Sequence, residues 1–492
     1  MSAAAKTRSL PQLAPAILDR LPPTVRRPGY ERTRLSAGVL HIGVGNFHRA
    51  HMAAYLDDLF ALGRDHDWAI VGAGLMPGDA RQRARLAPQD WLFTLVELDG
   101  TRKDARVIGS MIDFAPTEAE AIARRLAAPD IRIVSLTITE GGYFTNAETG
   151  GFDAGHPAIL ADAAQPDAPQ TVFGVLLKGL RLRRDQGLPA PTVLSCDNLE
   201  GNGAVARAAL VGLARLSDPA LAEWIEAEAA FPNGMVDRIT PATSDAEIRM
   251  VEETFGYHDA APVVCEPFRQ WVLEDRFALG RPGLEAVGVQ FVDDVAPYER
   301  MKLRILNAGH AAIAYPAALL GHVHAHEAMA DPDIAAWLSA LMRREVIPVL
   351  PPIPGESYED YLETCARRFA NPGVRDTIAR LCQDGSSRQP KFVLPTIGDA
   401  LGKGAPIEGL ALEVAFWCRY AATAEVLDDP RADRIGPAAR ATRDDPAAFL
   451  ALADIFGPLS SDARFAEAFG RQIRRLWTEP PRDVLRAYLA QG

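Results

Sequence analysis

A short apolar strand, a glycine turn and an amphipathic helix follow one another near the start of the chain. The strand is Val39 to Ile42, and the turn is Gly43-Val44-Gly45-Asn46. Gly43 permits the tight turn, and Gly45 lets a pyrophosphate approach the backbone at the start of the helix. This order predicts the first unit of a dinucleotide-binding domain, although His48 stands where the general fingerprint has its third glycine.

Strand and helix patterns alternate through the first part of the chain, which predicts an α/β fold with a doubly wound parallel sheet. Beyond about Pro297 helical patterns dominate. We predict a surface arm over 1–34, a Rossmann-type domain over 35–296 and a mostly helical substrate and catalytic domain over 297–492, with the active site in the cleft between the domains. The predicted strands after the first are Trp68–Val71, Phe93–Leu98, Ile131–Thr139 and Thr192–Ser195; the predicted helices include Glu118–Leu126, Val172–Arg184, Glu299–Leu320, Ile334–Val346, Tyr358–Phe369, Val374–Cys382 (started by Asn371-Pro372) and Leu410–Ala424.

Length, charge and cysteine content narrow the class of protein. The 492 residues exceed one ordinary core, so two domains are expected. A net charge of -12 without a basic block argues against nucleic acid or an anionic membrane as the main partner. The five cysteines are far apart and form no CxxC pair, which argues against disulfides and thiolate zinc and favours the reducing cytoplasm.

A lysine lies inside an apolar helical stretch of a chain that uses arginine for almost all its cations. There are six lysines among 52 basic residues, and Lys302 is one of them. Lysine can lose its proton when buried, whereas arginine cannot. On an α-helix, at ~100° per residue, the side chains of Glu299, Asn307 and His310 share one arc with Lys302. A solvated helical face is the alternative interpretation, because Arg300 and Arg304 also lie on this helix.

The polar side chains of this helix suit the oxidation of a secondary alcohol. The reaction needs a base that is neutral near physiological pH, and burial or nearby cations lower the pKa of a lysine. Amide donors stabilise the developing oxyanion, which Asn307 and Asn198 can do. Because ligands bind at the carboxyl ends of parallel strands, Thr139 and Glu140 are candidates as well.

Asp79 follows the second predicted strand, where a carboxylate accepts hydrogen bonds from the adenosine ribose and repels a 2'-phosphate. This position favours NAD over NADP, although Arg81 and Arg83 are close, and a solvated turn residue is the alternative. His48 and His51 are three residues apart, but no carboxylate or cysteine near them completes a metal site. Contact with the cofactor or with a domain interface is the stronger interpretation for the two histidines.

Seven motifs carry a resemblance to the polyol-specific long-chain dehydrogenases. They span nearly the whole chain in one order: HIGVGNFHRAH at 41–51, SLTITEGGY at 135–143, SCDNLEGNG at 195–203, FPNGMVDRITP at 231–241, VCEPFRQWVLED at 264–275, PYERMKLRILNAGH at 297–310 and DGSSRQPKF at 384–392. The resemblance implies a Rossmann domain, a helical C-terminal domain, NAD(H), no metal and often a monomer. It implies interconversion of a sugar alcohol, such as mannitol, arabinitol or sorbitol, with its 2-keto sugar.

The resemblance also implies roles for individual residues. Lys302 matches the base, Asn198 and Asn307 the oxyanion-stabilising pair, His310 the substrate-orienting histidine and Glu299 the acid tied to proton exchange with solvent. Asp237 matches an active-site acid, and Arg380 and Arg388 match cations that contact polyol hydroxyls, the second usually lysine in members that act on mannitol. The acid found just before Asp79 in some members is Gly78 here. The candidate cofactor-binding residues are Gly43, Gly45, Asn46, Phe47, His48, Asp79, Thr139 and Glu140.

Two other functions stay open. A hexuronate reductase, such as a fructuronate reductase, belongs to the same family and would need a carboxylate-binding pocket. A dinucleotide-binding sensor without turnover is the alternative from another class. The joint presence of Lys302, Asn198, Asn307 and His310 argues against the sensor.

Overall fold

The computed structural model describes residues 10–146 and 149–491. It divides between Ala296 and Pro297 into two compact units. The strands are, in chain order, β1 (Val25–Arg26), β2 (Ala37–Ile42), β3 (Ala69–Ala73), β4 (Phe93–Asp99), β5 (Arg102–Ile108), β6 (Met111–Phe114), β7 (Ile133–Leu136), β8 (Thr192–Ser195), β9 (Gly234–Asp237), β10 (Val263–Cys265), β11 (Gln270–Glu274) and β12 (Gln290–Val292). The helices of the first unit are α1 (Asn46–Ala50), α2 (Met52–Ala61), α3 (Pro77–Leu86), α4 (Ala119–Leu126), α5 (Pro157–Ala164), α6 (Val172–Asp185), α7 (Asn202–Ser217), α8 (Pro219–Glu228) and α9 (Asp245–Phe255).

A five-stranded parallel sheet forms the centre of the first unit. Its order is β6-β3-β2-β7-β8. The strands β3 and β6 extend the sheet on one side of β2, and β7 and β8 extend it on the other, so the strand order reverses between β2 and β7. All six residues of β2 are buried, as expected for a parallel strand covered on both faces. One face packs against Ile122 of α4 and Leu176 of α6, and the other packs against Leu56 and Phe60 of α2. This arrangement confirms the predicted Rossmann-type fold.

Two smaller sheets complete the first unit. The predicted strand at Phe93 is present but does not join the parallel sheet; β4 pairs antiparallel with β5 in a sheet of order β1-β5-β4-β10. The third sheet has the order β12-β11-β9. The segment predicted as a surface arm contributes β1 to the second sheet, and Leu13, Ile17 and Val25 are buried. The predicted strand Ile131–Thr139 is shorter, because the backbone leaves the sheet after Leu136.

The second unit is helical throughout the part of the chain that the structure describes. Two buried helices, Ala308–Leu319 and Glu408–Thr423, form its interior, and Trp337 of a neighbouring helix donates a hydrogen bond from Nε1 to the Ala312 carbonyl 2.9 Å away. The helices are α10 (Ala296–Met301), a π-helix (Lys302–Asn307), α11 (Ala308–Leu319), α12 (Ala325–Ala330), α13 (Pro332–Leu341), a π-helix (Met342–Val346), α14 (Tyr358–Phe369), α15 (Ile378–Cys382), α16 (Gly385–Phe392), α17 (Leu394–Gly402), α18 (Glu408–Thr423), α19 (Ala432–Ala441), α20 (Ala447–Leu450), α21 (Ala453–Phe456), α22 (Ala463–Thr478) and α23 (Pro481–Leu489).

One helix start was predicted wrongly. Asn371 does not begin a helix; its side chain accepts a hydrogen bond from the Gly373 N–H at 2.9 Å and forms a turn. The helix α15 begins at Ile378, capped by the Thr377 hydroxyl. Asparagine side chains stabilise turns and helix starts by the same local bond, so the pattern alone did not separate the two.

Candidate active site

The glycine turn lies at the carboxyl end of β2, at the reversal in strand order. Gly43 has a φ of 98°, and a Cβ there would lie 2.1 Å from the carbonyl oxygen of Thr137, so that the position requires glycine. Gly45 faces open space, since the nearest atom to a Cβ would be 3.9 Å away. A crevice at this reversal is where doubly wound sheets bind ligands, and the space beside Gly45 fits the approach of a pyrophosphate.

His48, at the position of the third glycine, packs behind the turn. Its ring stacks on that of His41 with centroids 3.3 Å apart and an angle of 11° between the planes. Burial lowers the pKa of His41 to about 3, and burial together with neighbouring basic groups also lowers the pKa of His48. The neutral rings of His41 on β2 and His48 on α1 therefore stack at the place where a third glycine usually lets the helix approach the strand.

The neighbouring side chains Asn46 and Phe47 are engaged with the protein. Asn46 donates from Nδ2 to the Pro241 carbonyl and the Thr243 hydroxyl, both at 3.0 Å. Phe47 stacks on His51 with ring centroids 4.9 Å apart. These side chains hold the turn in place, which leaves their backbone groups as the atoms available to a cofactor.

Asp79 lies on α3 with its carboxylate against Gly74, just beyond the end of β3. A Cβ at Gly74 would fall 2.1 Å from the Asp79 carboxyl carbon, so the glycine makes room for the acid. The Met76 N–H donates to Asp79 at 2.8 Å, and partial burial raises the pKa of the carboxyl. Arg83 points elsewhere: it donates to the Phe114 carbonyl and lies over the ring of Trp91. The acid is therefore held at the edge of the sheet where a ribose is expected.

A residue that the sequence analysis missed, Asp197, joins the loops after β7 and β8. Its carboxylate accepts hydrogen bonds from the Ile138 and Thr139 N–H groups and from the Tyr143 hydroxyl, at 2.9, 3.0 and 2.6 Å. Burial raises the pKa of Asp197, while these three donors oppose the rise. Asn198 follows directly and is exposed, as are Thr139 and Glu140. A carboxylate two residues after a buried strand was the signal that could have identified Asp197.

Asp237 is the last residue of β9 and is 6% exposed. The next residue, Arg238, is a second one that the sequence analysis missed. Its guanidinium donates to the Ala50 carbonyl at 2.6 Å, to the Glu266 carbonyl and to the Glu97 carboxylate. These bonds fix the end of β9 beside α1 and thereby fix the backbone that carries Asp237.

In the second unit, Lys302 and Asn307 lie on a π-helix rather than on the regular α-helix that the sequence analysis assumed. The π-helix covers Lys302–Asn307, and the Ala308 N–H bonds the carbonyl of Leu303, five residues earlier. In such a turn, residues five apart occupy one face, as residues four apart do in an α-helix. The wider turn therefore makes the angle between the Lys302 and Asn307 side chains, viewed along the helix axis, smaller than it would be on an α-helix.

Four polar residues of this helix are buried, which contradicts the alternative of a solvated face. Glu299 and Lys302 are each 8% exposed, and His310 is 9% exposed. Arg304 was expected to lie in water, but it is also buried and donates to the Thr396 hydroxyl at 2.6 Å. Arg300 is exposed as expected. Buried polar groups at such density are costly to retain unless they are paired or used.

The His310 ring packs on Phe369 with centroids 4.0 Å apart, and three arginines act on it electrostatically. Burial first, and then Arg380, Arg368 and Arg388, lower the pKa of His310 well below its usual value, so the imidazole is neutral. The candidate substrate residues Arg380 and Arg388 thus lie near His310 within the second unit.

Both candidate substrate arginines are oriented by bonds within the second unit. The exposed Arg380 is held by Asp376, which the sequence analysis missed, through Nε at 2.6 Å and through Nη2. Arg388 donates from Nη1 to the Leu381 carbonyl at 2.9 Å. These contacts direct the two guanidinium groups without using all of their donors.

Among the described residues, no group of three or more histidine, cysteine, aspartate or glutamate side chains is arranged to hold a metal ion. His48 and His51 do not converge, because His48 stacks on His41 while His51 bonds the Gln270 carbonyl at 2.9 Å. No helix in the described ranges has the length and apolar character needed to cross a bilayer. All five cysteines are buried thiols, and no disulfide joins them.

Comparisons with known proteins agree over nearly the full length of the chain. Residues 37–286 match the family described as the mannitol dehydrogenase Rossmann domain, and residues 294–477 match the mannitol dehydrogenase C-terminal domain. The chain is 51% identical to a mannitol 2-dehydrogenase of Cereibacter sphaeroides over 95% of this chain and 99% of the relative. It is 43% identical to a mannitol 2-dehydrogenase of Aspergillus fumigatus over 93% of this chain and 94% of the relative.

Two solved structures are similar along the whole chain. The Pseudomonas fluorescens mannitol 2-dehydrogenase, in a ternary complex with NAD and D-mannitol, is 44% identical with a TM-score of 0.84, covering 98% of this chain and 100% of that chain. A substrate-free D-sorbitol dehydrogenase is 36% identical with a TM-score of 0.90, covering 96% of this chain and 100% of that chain.

Proposed function

Because the chain belongs to the mannitol dehydrogenase family, we propose that it oxidises a sugar alcohol to the matching 2-keto sugar with NAD, and catalyses the reverse reduction. Mannitol is the first candidate substrate, since the relatives of 51% and 43% identity are mannitol 2-dehydrogenases. Arabinitol and sorbitol are the next candidates. The observation that carries the proposal is a buried lysine and an amide on one turn of helix, Lys302 and Asn307.

Lys302 is proposed as the general base. Oxidation of a carbinol removes the hydroxyl proton while a hydride leaves the same carbon, and the Lys302 amine takes that proton. Burial disfavours the ammonium form of a lysine, so an amine that is 8% exposed suits this role. Glu299, one turn earlier and equally buried, is proposed to exchange the proton with solvent.

Amide and imidazole groups are proposed to hold the reacting oxygen. The Nδ2 groups of Asn307 and Asn198 donate hydrogen bonds to it as negative charge develops. His310 remains neutral because burial and neighbouring arginines lower its pKa, so it has one ring nitrogen that donates and one that accepts. A ring of this kind can orient a hydroxyl group without adding a charge beside Lys302.

The remaining polyol hydroxyls are assigned to Asp237, Arg380 and Arg388. A carboxylate accepts from hydroxyl groups and a guanidinium donates to them, so this set can bind a chain of vicinal hydroxyls. Arg388 is planar and bulkier than a lysine, and it determines in part which chain length and configuration fit. The anchoring of Arg388 to the Leu381 carbonyl supports a defined position for its other donors.

A bound NAD would supply the hydride acceptor. The chain's own residues provide the close approach at Gly43 and Gly45, the carboxylate of Asp79 for the adenosine ribose, and the turn at Thr139 and Glu140. An ionised Asp79 carboxylate beside the adenosine ribose would repel a 2'-phosphate, which supports a preference for NAD. No metal is assigned a role, because Lys302 supplies the base.

A substrate panel tests the proposal. The purified protein is assayed by NADH absorbance with D-mannitol, D-arabinitol and D-sorbitol, each with NAD and with NADP, and in reverse with fructose and fructuronate. We expect turnover with at least one polyol and faster turnover with NAD. Turnover confined to fructuronate would establish a hexuronate reductase. Cofactor binding without any turnover would establish a sensor. Chelator treatment is expected to leave the rate unchanged, and a loss restored by zinc would contradict a metal-free mechanism.

The surroundings in which the protein works are also proposals. Five buried cysteines without a disulfide support a reducing compartment, and we propose the cytoplasm. We propose a monomer, which light scattering during size-exclusion chromatography tests directly. The acidic net charge of -12 supports a small-molecule substrate rather than nucleic acid or a membrane as the partner.

A further inference from the structure

One carboxylate bridges the loops that follow two neighbouring strands of the parallel sheet. Asp197 comes two residues after β8, and its Oδ1 and Oδ2 accept hydrogen bonds from the successive N–H groups of Thr139 and Ile138 after β7. The buried Tyr143 donates to the same carboxylate at 2.6 Å and also bonds the Ser195 hydroxyl at 2.6 Å. The carboxylate thus connects the two loops directly and through a buried phenol.

The loop held by Asp197 contains a strained residue. Thr139 has a φ of 67° and a ψ of 160°, a conformation that glycine adopts readily and a β-branched residue rarely does. Such a conformation persists only where the surroundings enforce it. The bond from the Thr139 N–H to Asp197 and the bond from the Gly142 N–H to the Thr139 carbonyl, both at 3.0 Å, enforce it here.

The backbone of Asp197 connects this pair of loops to a third element. The buried Asn202 side chain donates to the Asp197 carbonyl at 3.1 Å and to the Gly234 carbonyl at 2.8 Å, and it accepts from the Gly234 N–H at 2.9 Å. Gly234 begins β9, the strand that ends at Asp237. The Thr139 turn, Asn198 and the strand of Asp237 therefore depend on one hydrogen-bonded chain centred on Asp197.

We propose that Asp197 is a positioning residue: its carboxylate holds the strained Thr139 turn and the adjacent Asn198 in the one arrangement that supports hydride transfer. This inference rests on the proposed dehydrogenase function, in which Asp197 itself has no chemical role. Asp197 touches neither substrate nor cofactor in this proposal. It acts by ordering the loops that do.

Asp197→Asn is the main test, because an amide keeps the size of the carboxylate but replaces one acceptor oxygen with a donor. One of the two successive N–H groups then loses its acceptor. Since small displacements of positioned groups can cost 10²-fold in rate, we expect kcat to fall about 10- to 100-fold. Hydrogen exchange should become faster at the Ile138 and Thr139 amides and remain unchanged within the strands of the parallel sheet.

Asp162 offers a matched control within the same unit. Its buried carboxylate also accepts from two successive N–H groups, Gln170 at 2.7 Å and Thr171 at 2.9 Å, and from a hydroxyl, that of Thr171 at 2.6 Å. Asp162→Asn disrupts the same set of hydrogen bonds to a carboxylate, in a loop to which no function is assigned. We expect it to keep kcat within about threefold of wild type while lowering stability as much as Asp197→Asn does.

Thr139→Gly separates positioning from a merely structural role. Glycine adopts the Thr139 backbone conformation without strain, so the turn then depends less on its hydrogen bond to the Asp197 carboxylate. We expect the loss caused by Asp197→Asn to shrink at least about threefold when it is measured against the single Thr139→Gly variant. A purely structural contribution of Asp197 would not depend on the residue at position 139.

Three results would overturn the inference: an Asp197→Asn enzyme with kcat within threefold of wild type, an equal loss of kcat in Asp162→Asn, or an undiminished effect in the Thr139→Gly background. If Asp197→Asn does not fold, Tyr143→Phe, which removes one of the three donors, takes its place with proportionally smaller expected effects. If the wild-type protein shows no turnover, the proposed function is wrong. If the wild type turns over but the variants behave as listed above, only the positioning role of Asp197 is wrong.

Discussion

Lys302 and Asn307 are the first and last residues of one π-helix, five positions apart. On an α-helix these side chains would be separated by about 140°. The i→i+5 turn brings them onto a common face, where the base and one oxyanion donor of the proposed reaction can address the same carbinol. In the proposed reaction the extra residue that widens the turn would serve catalysis, and Glu299, Lys302 and His310 of the same helix are buried.

Lys302→Ala should remove the base and leave the cofactor site intact. We expect kcat to fall by about 10²- to 10⁴-fold, the usual contribution of a positioned general base, because no other group replaces the amine. NADH binding, followed by fluorescence titration, should remain within twofold. The exposed Lys103, on β5, provides the control, and Lys103→Ala should leave both quantities unchanged. An equal loss of NADH binding in Lys302→Ala would mean that Lys302 supports the fold.

Asp79→Ala should weaken the discrimination against NADP. Removing the carboxylate beside Gly74 removes its repulsion of a 2'-phosphate, so the ratio of kcat/KM for NAD to that for NADP should fall at least tenfold, or about 1.4 kcal/mol. Asp99→Ala, which changes an exposed acid at the end of β4, is the control for net charge. An unchanged ratio in Asp79→Ala would place the ribose elsewhere.

Glu413 makes stability depend on pH in a direction opposite to most carboxylates. Its burial raises the pKa to about 8, and Gln389 donates to it at 2.7 Å. A carboxyl whose folded pKa is raised stabilises the fold fully below its unfolded pKa, near 4.5, and loses that contribution as the pH rises to about 8.

Glu413→Gln keeps the neutral shape and removes the titration. We therefore expect the variant to be more stable than wild type at pH 9, by roughly 2–4 kcal/mol, and closer to wild type at pH 5. Urea unfolding across this pH range measures the difference. The exposed Glu363 supplies the control, since Glu363→Gln should keep the wild-type slope. A Glu413→Gln slope that equals the wild-type slope would show that Glu413 does not titrate in this window.

His310 should not contribute a titration to the activity profile. Burial and three arginines lower its pKa well below 6.5, so the ring is neutral at neutral and alkaline pH. His310→Gln should raise the polyol KM about tenfold by removing a hydrogen bond to a hydroxyl, while the acidic limb of kcat/KM keeps its midpoint. If that midpoint moved by a full pH unit in His310→Gln, the acidic limb would belong to His310.

Local patterns were sufficient for the parts of the protein that depend on nearest neighbours. The Gly43 turn, the α/β alternation and the helix Tyr358–Phe369 follow from turn chemistry and apolar periodicity, which act over a few residues. Apart from the helix start at Asn371, where two local alternatives share one bond, the failures concern contacts between distant positions. The strand at Phe93 joins a separate sheet, because it pairs with β5 and β10 rather than with β3.

Residue types and their spacing were enough to indicate the chemistry that this chain can support: a lysine among apolar residues, asparagines after strands and along the same helix as the lysine, and a glycine turn for a pyrophosphate. How those groups are held could be seen only in the folded chain. Three features depend on packing and hydrogen bonds beyond the local pattern. They are the π-turn that brings Asn307 to the face of Lys302, the glycine that makes room for Asp79, and the Asp197 carboxylate that binds the Thr139 turn. Such contacts form only when segments distant in sequence are brought together, and no periodicity records them.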